Sequence, residues 1–160
     1  MRWYWGMLLA IALIVAVPIG ALWLWGRPRA HLALPTAATP PAEVVRTYAR
    51  AMNARDFGAC KHMGVGDAGD PVADWSTLHG PQILDLKIDG VSRVMSGPKA
   101  AKRQYDRGLK RWNEVVEVDT TETLKNFDGT PDPEPGHVFS FVLVRHDASQ
   151  PWRIYSAGEG

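Results

Sequence analysis

From Trp3 to Gly26 the chain runs for 24 residues without a charge, "WYWGMLLAIALIVAVPIGALWLWG". As a continuous helix this stretch would be about 36 Å long, against a hydrocarbon layer of about 30 Å. Trp3, Tyr4 and Trp5 stand at one end and Trp23 and Trp25 at the other, where amphipathic rings suit the headgroup region. Pro18 and Gly20 bend such a helix without abolishing it. The reading is a transmembrane helix, with the lipid bilayer as partner through residues 3–26. A cleaved secretory signal is the alternative, but "WLWGRPRAHLA" lacks a convincing small-residue cleavage pattern. Arg2 and the terminal amine nearly balance Arg27 and Arg29 across the segment. The very short N-terminal tail then favours a signal anchor that leaves the remainder outside.

Charge divides the chain at the same place. The first 40 residues hold three Arg and no acid; of 18 Lys/Arg and 17 Asp/Glu in all, 15 and 17 fall beyond residue 40, a net −2. That balance argues against a general polyanion binder, and no nucleic-acid partner is expected. Cys60 is the single cysteine, so no intrachain disulfide exists and a small buried hydrophobe is its simplest role. His31, His62, His79, His137 and His146 form no metal-ligand motif, and no metal or cofactor is expected. H-E-x-x-H, Walker A and G-x-S-x-G patterns are missing from the sequence, and "GVGDAG" has no strand before it to make a dinucleotide loop.

Three segments follow: a membrane anchor at 1–26, a Pro-rich spacer at 27–40 and a folded domain at 41–160. Thr39 is positioned to cap a helix opened by Pro40 and Pro41, with Val45, Tyr48, Ala49 and Met52 at helical spacing. Asp56 caps a shorter helix, "FGACKHM", in which Phe57 and Cys60 share a face. "ILDLKIDGV" alternates as a half-buried strand. "EVVEVDTTETL" places Val116, Val118, Thr120 and Leu124 on one side, interrupted by Glu122. "HVFSFVLVR" is the strongest strand, and "WRIYSAG" closes the chain with Trp152, Ile154 and Ser156 on one face. The interval 97–112 is ambiguous. As a helix it puts Lys99, Lys102, Arg103, Arg107 and Lys110 on one stripe and Ala101, Tyr105, Leu109 and Trp112 near the other. As a strand from about Arg103, the preferred reading, it sets Arg103 and Arg107 opposite Lys102 and Lys110. Early helices and a late antiparallel sheet give an α+β class.

On "VVRTYARAMNARDFGAC", "ILDLKI", "HVFSFVLVR" and "PWRIYSAGEG" the chain resembles the NTF2-like superfamily, in its bacterial, membrane-anchored extracytoplasmic form. The resemblance covers residues 41–160. It implies a strongly curved antiparallel sheet closed into a cone around Tyr48, Met52, Phe57, Trp75, Leu86, Val118, Phe141, Leu143 and Trp152.

Two candidate sites follow. Tyr48, Asp74 and His79 would form a pocket at the cone, although no catalytic motif aligns with them and each has an ordinary structural role to fill. Lys102, Arg103, Arg107 and Lys110 belong to a run from Lys99 to Arg111 with six cations and the single acid Asp106, a candidate interaction patch. The resulting expectation is a non-catalytic, membrane-tethered interaction or accessory domain of the bacterial cell envelope, single-pass with its C-terminal domain extracytoplasmic. The alternatives are a small-molecule-binding or lyase/isomerase-like enzyme, and a secretion or conjugation scaffold that oligomerises.

Overall fold

Helix formation in the domain begins where two prolines remove amide donors that a first helical turn leaves idle anyway. The computed structural model describes residues 14–21, 24, 27–66, 82–125 and 136–159. Helix α1 spans Pro41–Ala54 with Pro40 as its extended N-cap. Thr39 does not cap it: its Oγ1 accepts from the Thr36 amide at 2.9 Å and closes the preceding turn. Val44, Val45, Ala49 and Ala51 form the buried face, so the stripe is rotated slightly from the expected one. Arg55, at φ 57°, ends the helix by donating its amide to the Ala51 and Met52 carbonyls. Asp56 then caps α2, Phe57–Met63, accepting the Ala59 amide at 3.2 Å. The second Asp56 oxygen accepts from Leu32 N–H at 2.9 Å, and Arg29 N–H reaches the Ala54 carbonyl at 2.6 Å. Residues 29–32 are thus tied to the helix junction.

Strands β1 (Gln82–Val91), β2 (Glu114–Lys125), β3 (His137–Arg145) and β4 (Arg153–Glu159) form an antiparallel sheet in the order β1-β2-β3-β4. Alternation sends successive side chains to opposite faces, and in this sheet both faces are apolar. Val116, Val118, Phe141, Leu143 and Ile154 pack with Trp152 against Val44 and Val45 of α1. Val115, Val142 and Val144 pack against Ala100, Ala101, Leu109 and Trp112 on the other side. Those last four residues belong to α3, Gly97–Arg103, and to a 3-10 helix, Arg107–Arg111, with its flank. The strand expected from Arg103 is therefore corrected to two short helical turns, whose apolar sides have a sheet face of their own to cover.

That second layer also corrects the cone. A cone buries one concave face; here helices cover both faces of an open, uncurled four-stranded meander. Tyr48, Leu86, Val118, Phe141, Leu143 and Trp152 do share one core, but it is filled with apolar side chains. Met52 packs in a smaller cluster with Cys60 and Met63 beneath Leu32, and Trp75 lies outside the described residues.

The expected membrane anchor is likewise corrected. Among the described residues no helix is long and apolar enough to cross a membrane. Within the apolar segment residues 14–21 and 24 are helical; residues 1–13, 22, 23, 25 and 26 lie outside the described residues. The single-pass localisation, the bilayer partner and the membrane-tethered function that rested on such a span are not supported.

Candidate functional site

The two helical turns after β1 bring basic side chains together because their other sides are fixed. Pro98 starts α3 behind Ser96, and Gln104 closes it by donating its amide to Ala100 O at 2.9 Å. The chain then reverses through Tyr105, which holds the left-handed φ of 55°, a conformation costly to a side chain with a Cβ. Asp106 caps the 3-10 turn, accepting the Gly108 amide at 2.8 Å. Leu109 and Trp112 anchor the turn from below.

Two close approaches require glycine. A Cβ on Gly97 would fall within 3.0 Å of the backbone oxygens of both Leu109 and Trp112, so α3 rests directly on the 3-10 backbone. A Cβ on Gly108 would strike the Tyr155 hydroxyl. Tyr155 is bonded to Asp106, and burial together with that bond raises its phenol pKa. One tyrosine side chain therefore couples the basic turn to β4.

Around this frame Lys102, Tyr105, Arg107 and Lys110 line an open cleft of about 410 Å³ floored by Ala101. Tyr105 is 94% exposed, contrary to its expected place beside Leu109 on an apolar face. Among the described residues no carboxylate lies within ion-pair distance of Lys102, Arg107 or Lys110. Arg103 is different: it meets Glu117 of β2 at 3.3 Å and does not line the cleft. Arg111 lies over the Trp112 ring at 5.5 Å, and Trp112 stacks on His146 at 4.3 Å. Lys102, Arg107 and Lys110 are thus gathered across the break at Tyr105, as the helical reading grouped them and the preferred strand reading did not.

The other candidate pocket is not assembled in the same manner. Tyr48 is half-buried and meets Phe141 edge-on with ring centroids 6.2 Å apart. Burial, then the nearby Cys60 and Glu122, pushes its phenol pKa up to about 12. Burial and Asp56 push the Cys60 thiol to about 12 as well, so neither group is poised to act as a base or nucleophile near neutral pH. Asp74 and His79 lie outside the described residues. Glu122, expected to interrupt the apolar side of β2, sits on that side and is 3% exposed.

Gly97, Asp106 and Tyr155 are the positioning residues that pattern reading missed. Asp-Arg-Gly at 106–108 carries the signal of an Asx-type cap, but the partner strand 47 residues later is invisible locally. Among the described residues no group of three His, Cys, Asp or Glu side chains converges on a metal position. No protein-family model, curated protein or solved structure matches the chain. The expected NTF2-like membership, with the bacterial cell-envelope setting it implied, is corrected to a small α+β domain with an open antiparallel sheet.

Proposed function

We propose that this chain is a recognition domain for an acidic protein partner, taken in the cleft of Lys102, Arg107 and Lys110. The observation that carries the reading is convergence: three cations with no carboxylate at ion-pair distance among the described residues surround an exposed aromatic. Residues 41–160 are net acidic by two charges, so the cleft is a local reversal of sign. Such a reversal steers an acidic partner to one place and disfavours other orientations. Tyr105 supplies a large contact area with few rotors, the character of an interface anchor. Its left-handed backbone holds the ring out of the domain before any partner arrives.

Deca-L-glutamate is a suitable probe. Wild type should bind it with an affinity that falls as salt rises. The variant K102Q/R103Q/R107Q/K110Q should bind at least tenfold more weakly, while its unfolding free energy stays within about 1 kcal/mol of wild type, since exposed charges add little to stability. Equal affinity and equal salt dependence in the two proteins would reject the cleft as a recognition site.

A further inference from the structure

An open sheet has two edges, and this one treats them differently. The β1 edge carries the devices that discourage strand addition: register shifts between Leu84 and Lys87 and between Ile88 and Gly90, and charged Asp85, Lys87 and Asp89. Asp85 also takes a positive φ of 51°. Near the start of β1 the Asn53 amide binds Ile83 N–H at 2.7 Å and Ile83 C=O at 2.8 Å, so a helix side chain already occupies that backbone.

The β4 edge also shifts register once, at Tyr155, where Ile154 and Ser156 pair with the consecutive Leu143 and Val142, but its run from Ile154 to Gly158 carries neither charge nor proline. At its start the chain's own Gly64 pairs with Ile154 in parallel, and Val65 N–H donates to Ile154 O at 2.8 Å. Arg153 donates to the Gly64 carbonyl there as well. The outer edge is thus already used for backbone pairing once. Gly66 follows at φ 60°, and residues 67–81 lie outside the described residues. Beyond Ile154 no strand pairs with the outer side of β4 among the described residues. The basic turn stands beside this edge, joined to it through Tyr155 and Asp106.

We propose that an extended acidic segment of a partner protein adds to the outer edge of β4 between Tyr155 and Gly158, with its alternate carboxylates directed to Arg107 and Lys110. Main-chain bonds would supply affinity, and the cations would select the acidic sequence and fix its register. The inference rests on the acidic-partner reading above and adds the mode of binding to it. The domain need not rearrange, because edge and turn are already held together.

The test uses the full chain, deca-L-glutamate and the same peptide N-methylated at alternate residues, which keeps the charge but removes every second amide donor. Edge pairing predicts that the N-methylated peptide binds at least tenfold more weakly. It also predicts that deca-L-glutamate slows amide exchange within 155–158 severalfold. Equal binding of both peptides, with exchange in β4 unchanged, would overturn the mode. If the fourfold Gln variant still lost affinity in that case, recognition by the cleft would stand without strand addition. If deca-L-glutamate failed to bind wild type, both proposals would fall. A protein that sediments as a dimer with 155–158 protected before peptide is added would overturn the proposal in favour of a second copy at the edge.

Discussion

Replacing Gly97 with alanine sets two effects of opposite sign against each other. Intrinsic propensity favours Ala over Gly in a helix by up to about 1 kcal/mol, less at a first turn. Packing opposes it, because the new Cβ would sit within 3.0 Å of the Leu109 and Trp112 backbone oxygens. Neither oxygen is the end of a flexible side chain. To make room, α3 and the 3-10 helix must separate by on the order of 1 Å, loosening the buried contacts among Ala100, Leu109 and Trp112. Overpacking of this kind costs about 1–3 kcal/mol, and the lost contacts place it toward the upper end. The expected net effect is destabilisation by about 2 kcal/mol, or roughly 8 °C in Tm for a domain of this size. Urea unfolding of Gly97→Ala measures it directly. Gly158→Ala is the control: its Cβ meets nothing within 4 Å, so stability should stay within about 0.5 kcal/mol. A Gly97→Ala protein as stable as wild type would refute the direct seating of α3 on the turn, and with it the preorganised cleft.

Two further outcomes follow from the core. Trp152 is 4% exposed and lies under the Arg145 guanidinium, 4.2 Å from the ring centroid; Trp152→Ala should cost about 3–5 kcal/mol by chemical denaturation, and a loss under about 1 kcal/mol would show that the ring is not part of the packed face. Tyr48 and Cys60 hold their protons to about pH 12 in the folded chain against ordinary values of 10.0 and 9.0. The unfolded chain therefore releases protons first, so this stability is whole below about pH 9 and is lost as pH rises toward 12. Urea unfolding at pH 8, 10 and 11 should show a shallower decline in Tyr48→Phe/Cys60→Ala than in wild type, and parallel declines would contradict the burial of these groups.

Local pattern carried most of the sheet and little of the site. The strands at "ILDLKIDGV", "EVVEVDTTETL" and "HVFSFVLVR" were legible because alternation and β-branched residues act within one segment. The Asp56 cap was legible for the same reason, since donor and acceptor lie three residues apart. Curvature was not: it depends on what covers the second face, and that cover came from 97–112, where the sequence fits two periods equally well. The cleft was half legible. Its cations could be named, and the helical alternative grouped them, but the exposed Tyr105 between two short helical turns rests on a left-handed φ that no propensity favours. The turn it opens is held by Gly97 against the Leu109 and Trp112 backbone and by Gly108 against Tyr155 of β4, contacts that no local pattern displays.

Backbone amide chemical-shift mapping of the full chain with deca-L-glutamate tests the central claim most directly. The account predicts saturable shifts centred on Lys102, Tyr105, Arg107 and Lys110, which diminish as salt is raised and are lost in the fourfold Gln variant. Shifts centred on another surface, or a spectrum unchanged at millimolar peptide, would contradict it.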